Sequence, residues 1–172
     1  MKFQTLLSLL FVLCSFCLVT SCGGDEDPEP VGCPGVTTLD GGVKINGENR
    51  GLTVAQLLVT AGGAVFGDSY LFQIAGISSD CNEISSVSLN LSVDSGTSID
   101  GTREIKTFFD ANDGDVTGSF TSQIVEPLSQ NLQDLVSGTV TFTSGADNTY
   151  TIDLSATTVT GDDIDLEITH TF

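Results

Sequence analysis

Residues 137–172 read SGTVTFTSGADNTYTIDLSATTVTGDDIDLEITHTF, and their alternation decides the fold class. Val140 and Phe142 share one face against Thr139, Thr141 and Thr143. Tyr150, Ile152, Leu154 and Ala156 oppose Thr151, Asp153 and Ser155, and Ile164, Leu166 and Ile168 oppose Asp163, Asp165 and Glu167. Side chains that swap faces at every residue are the mark of strands buried on one side only. Gly145-Ala146-Asp147-Asn148 and Gly161-Asp162-Asp163 separate the runs, and connections this short make neighbouring strands antiparallel.

The same grammar extends upstream. Val87, Leu89, Leu91 and Val93 alternate with Ser88, Asn90 and Ser92, and Val116, Phe120 and Ile124 mark a further strand. Leu52 to Ala61 and Tyr70 to Ala75 are more continuously apolar and read as central strands. Turn signals such as Asn46-Gly47, Gly67-Asp68, Asp94-Ser95-Gly96 and Asp113-Gly114 punctuate the whole. One stretch departs from period two: after Pro127, Leu128, Leu132 and Leu135 fall on one helical face, which predicts a short helix. The expected architecture is an all-β antiparallel sandwich of about eight or more strands with that one helix. The alternative is a lipocalin-like closed β-barrel whose apolar interior is a cavity.

The start of the chain supplies an address. Lys2, the apolar run Leu6 to Val19 and the small residues Thr20-Ser21 form a secretory signal, expected to span residues 1–21. Residues 22–32 follow as a tether with four acids and two prolines, which favour extended, hydrated chain. Residues 33–172 form the β-domain, of a size that supports a single core. The chain has 23 acidic residues against five Lys and Arg, a formal charge of −18. Such a surface repels phosphate backbones and argues against nucleic acid as a partner. Of the five cysteines, Cys14 and Cys17 leave with the signal. Cys33 and Cys81 remain as an even pair in an oxidising compartment, and a disulfide is expected between them.

Val19-Thr20-Ser21-Cys22 resembles the lipobox of bacterial lipoproteins, in which the Cys thiol receives lipid and the signal is cut before it. The resemblance implies a lipid anchor on Cys22, the chain's contact with the membrane. Gly23 stands where an Asp favours inner-membrane retention in those families, so the expected location is the outer membrane. Cys22-Gly23-Gly24-Asp25-Glu26-Asp27 is similar to the acidic export signal of Bacteroidota surface lipoproteins, which implies exposure at the cell surface. The closing pattern, Ser137 to Thr143, Asn148 to Leu154 and Thr160 to Asp163, resembles the terminal meander of small uncharacterised Bacteroidota outer-membrane lipoproteins. That likeness implies a secreted sandwich or barrel and transfers no functional residue.

Little in the chain supports catalysis. His170 is the single histidine, and it continues the inward phase of Ile164, Leu166 and Ile168, at the rim of the core. No nucleophile elbow, Cys–His pair, zinc spacing or glycine-rich phosphate loop accompanies it. Asp110, Asn112, Asp113 and Asp115 invite a calcium reading, but the glycine and the terminal glutamate of an EF-hand loop are out of place, so a β-turn is expected. Asp162, Asp163 and Asp165 read as a solvated hairpin tip. Paired carboxylates for glycoside hydrolysis come with aromatic sugar platforms, and this chain has no Trp and only Tyr70 and Tyr150. The expectation is a non-enzyme without cofactor, a lipid-anchored envelope domain with an interaction or structural role. The alternatives are a small apolar-ligand carrier of lipocalin type and a calcium-dependent adhesion or glycan-binding module.

Overall fold

The computed structural model describes residues 33–62 and 67–172; the signal, Cys22 and the tether lie outside them. Nine strands follow one another: β1 (Gly42–Ile45), β2 (Glu48–Ala61), β3 (Asp68–Ile77), β4 (Glu83–Val93), β5 (Gly101–Glu104), β6 (Val116–Ile124), β7 (Ser129–Ser144), β8 (Thr149–Thr158) and β9 (Asp163–Thr171). Eight of them form an up-and-down meander. Each pairs antiparallel with the next, and β9 returns to β1 through Lys44 opposite Glu167 and Ile45 opposite Leu166. The sheet therefore closes on itself as an eight-stranded barrel, not the two-layered sandwich. Alternation assigns faces but does not say whether the first and last strands meet; here they do. The short β5 lies outside the meander, paired with the second half of β7, while β6 pairs with its first half.

The expected helix is absent. Among the described residues there is none at all. The chain turns at 125–128 and enters β7 at Ser129. Leu128 and Leu132 lie exposed, while Gln133 and Leu135 point inward. The unpaired edge of β6 takes up this segment, and six residue pairs from Ile124/Ser129 to Ser119/Asp134 prevail over its helical spacing. A bulge between Leu135 and Ser137 then corrects the phase so that Val140 and Phe142 also face the core. Gly138, just past the bulge, has φ +126, and a β-carbon there would collide with the Ser155 carbonyl.

Side chains pack the middle of the barrel. Ile45, Leu52, Phe72, Val87, Leu89, Leu91, Val116, Val140 and Ile152 are all fully buried. Phe72 on β3 stacks on Phe142 of β7 at 5.1 Å between ring centroids. β3 and β7 are separated by β4 and β6 around the ring, so this contact spans the interior. Tyr150 and Phe172 meet Phe72 edge-on at 5.7 and 5.5 Å.

At the opposite end the interior turns polar. Arg50, 5% exposed, donates from Nη2 to Glu48 Oε2 at 3.1 Å and Glu83 Oε2 at 3.3 Å. Glu83 Oε1 accepts the Ser85 and Ser122 hydroxyls at 2.9 and 2.8 Å. Burial pushes the Glu83 carboxyl up, but those hydrogen bonds and the Arg50 charge outweigh it and hold the group below its ordinary range. Cys33 and Cys81 are joined at this end, which fastens the start of the domain to the β3–β4 turn.

Candidate functional site

Among the described residues the calcium candidates bond within their own loop. Thr107 Oγ1 donates to Asp110 Oδ2 at 2.5 Å, and the Asn112 backbone N–H donates to Asp115 Oδ2 at 3.0 Å. The acids cap successive turns of the β5–β6 loop, as Asp and Asn do where the backbone needs a local acceptor. Among the described residues no group of three His, Cys, Asp or Glu side chains is placed to hold a metal. Of the hairpin acids, Asp162 accepts from Thr160 at 2.7 Å and from Gln133 Nε2 at 3.1 Å, which keeps its carboxyl below the usual range. Asp163 accepts from Thr157 at 3.2 Å. Asp165 borders a hollow of about 260 Å³ in which Lys44 reaches Glu167 at 3.8 Å. His170 stands half-buried, edge-on to Phe172 at 5.4 Å, at the core rim where its phase put it.

What the acidic loop carries is two phenylalanines. Phe108 is 80% exposed and Phe109 94%, packed edge-to-face on each other at 5.7 Å. Several hydrogen bonds hold them there. The Ile105 N–H donates to Gly138 O and the Lys106 N–H to Val116 O, both at 2.9 Å, which fixes the loop's start. The Asp110 and Ala111 N–H groups both close on Thr107 O at 3.1 Å, and Gly114 N–H reaches Ser92 O at 2.9 Å.

Beside the pair runs a groove of about 510 Å³ on the outside of the barrel. Its floor is the outer face of β3, β4 and β6, where Leu71, Asn90 and Thr117 form one cross-strand row and Ser88 and Ser119 the next. Lys106 and the two rings make one wall; Asp134, Val136 and Val159 make the other. That second wall is fixed by the Val159 N–H donating to Asp134 O at 3.0 Å. Lys106 is paired with Glu104 at 2.6 Å, and this partner makes its amine hold the proton more tightly than usual. The groove is thus an apolar and hydroxyl-lined trough with Lys106, paired to Glu104, on one side and Asp134 on the other.

Phe108 and Phe109 were not among the residues singled out in the sequence. The signal available was their adjacency: two neighbouring rings cannot both face the core of a strand. No family model, no curated protein and no solved structure matches the chain.

Proposed function

We propose that this chain is a lipid-anchored protein of the outer membrane whose barrel is a non-catalytic binding module. It takes an apolar projection of a protein partner in the groove beside Phe108 and Phe109. The observation that carries this reading is the exposure of both rings on a loop held by its own hydrogen bonds. Unsupported by function, two adjacent phenylalanines in water are a liability for a soluble domain. Aromatic anchors flanking a preformed trough are what interfaces use as binding hot spots.

The closed eight-stranded ring suits a ligand carrier as well as a filled-core binder. The outward reading is favoured by the contact of Phe72 with Phe142, Tyr150 and Phe172, which occupies the space a carried ligand would need. The anchor is supported by Cys22 at the end of the signal, and the cell-surface lean by the acidic tract after it.

Photo-cross-linking in intact cells tests the reading. Benzoylphenylalanine at position 109 should give a discrete protein adduct that the same probe at Thr151, on the outer face of β8, does not. Equal patterns from the two positions would overturn it.

A further inference from the structure

Among the described residues the barrel wall is incomplete in one place, and that gap has the form of a missing strand. At the Asn46–Gly47 end, β1 lies between β2 and β9 and pairs with both. Its pairing with β2 stops at Gly42 opposite Gly51, yet β2 runs on to Ala61 and β9 to Thr171. The segment before β1 takes one further bond, Leu39 N–H to Leu52 O at 2.7 Å; past Leu52, among the described residues, no strand pairs with β2 on the side away from β3, and β2 and β9 do not pair with each other.

Hydrogen-bond parity identifies the open groups. Gly62 N–H donates to Gly67 O at 2.7 Å, so Gly62 and every second residue back to Val54 bond to β3, up to the bulge between Leu52 and Val54. Ala55, Leu57, Val59 and Ala61 therefore direct their N–H and C=O groups into the gap. On β9, Phe172 N–H donates to Asn148 O at 3.1 Å, which turns Thr169 and Thr171 toward the same gap. Asn46 N–H reaching Asp165 O at 2.8 Å confirms the parity, because β9 faces β1 with its odd-numbered residues. Val59 lies opposite Tyr70, on the inward face with Phe72, and is still 50% exposed. Water reaches the inner side of the wall there.

We infer that this gap is a strand-acceptor slot. It takes an extended segment of a partner polypeptide, running antiparallel to β2 and β9 as β1 does. Both borders run in one direction, so one inserted strand satisfies both. A second copy pairing through its own β2 edge would leave Thr169 and Thr171 unbonded. The chain's own tether is a poor fit, since residues 23–32 include Pro28 and Pro30, which lack the N–H, and four acids. Residues 54–62 of the border hold no charge and no proline, the usual guards of an exposed edge. The formal charge of −18 favours a basic segment with apolar residues at alternate positions, whose apolar side faces Leu57 and Val59. The slot is separate from the Phe108–Phe109 groove, and neither reading depends on the other.

The test is amide exchange by NMR on the full chain, with and without the synthetic peptide Lys-Val-Thr-Val-Lys-Val-Thr-Val-Lys. Leu57, Val59 and Thr169 should exchange fast in the free chain and slow by about tenfold or more with peptide. Gln56 and Leu58, already bonded to β3, should not change. Val59→Pro removes one open donor without touching the β3 bonds, and should weaken the peptide's effect at Thr169 while Leu71 stays protected. Slow exchange of Leu57 and Val59 in the free chain would overturn the inference, and so would a peptide that leaves them fast at millimolar concentration. Self-association that protects Leu57 and Val59 but not Thr169 would replace it with a dimer.

Discussion

Replacing Phe72 with Ala probes the interior most sharply. Phe72 is fully buried and touches three other rings, with centroids 5.1, 5.7 and 5.5 Å away. Removing a buried phenyl ring forfeits its transfer energy and leaves a cavity the neighbours fill only in part, about 3–5 kcal/mol together. The lost edge and stacking contacts place Phe72→Ala toward the upper part of that range. In a domain of this size, 1 kcal/mol moves the midpoint by about 3 °C, so Tm should fall by roughly 10–15 °C. Thermal unfolding followed by circular dichroism on the oxidised protein measures this, and urea unfolding gives the free energy. A loss below about 1 kcal/mol would refute the reasoning, because it would mean the rings border open space instead of each other.

Other outcomes follow from the same contacts. The Cys33–Cys81 bridge closes a separation of 48 residues, and the chain-entropy relation makes it worth about 4 kcal/mol; Cys81→Ser should approach that loss in urea. The Glu83 carboxyl has a folded pKa below the ordinary 4.5, so its stabilisation is complete above that pH and is lost as pH falls through the folded value. Glu83→Gln should therefore flatten the acid limb of the stability curve, and an unchanged limb counts against the Arg50–Glu83 network. Leu132→Asp should cost under about 0.5 kcal/mol on the exposed face of β7, whereas Leu135→Ala costs about 2–5 kcal/mol. Equal penalties would restore a helix with both residues on its buried side.

Much of the wall was legible because strand chemistry is local. Val87 to Val93 became the inward row of β4, and the runs after Ser137 became β7 to β9 in the expected order. Asn46-Gly47 forms its hairpin with both residues at positive φ, as the dipeptide predicts. Barrel closure was not legible, since it depends on two residue pairs between β1 and β9 that no local pattern encodes. Leu132 misled because three leucines at helical spacing fit a helix face as well as a turn and strand that leave Leu128 and Leu132 exposed. Leu52 to Ala61 looked central for its apolar run, but beyond Leu52 it borders the open gap. The acidic loop forms turns at 108–110 and 113–114, and composition drew attention to its carboxylates and away from Phe108 and Phe109.

The tether matters as much as the barrel, because a free domain and an anchored one present the same groove to different partners. Cys22 decides between them, and intact mass spectrometry of the protein extracted from membranes reads it directly. The account predicts a chain that begins at Cys22 and carries acyl groups on that residue. A chain that keeps Met1, or one that begins elsewhere without lipid, would contradict it.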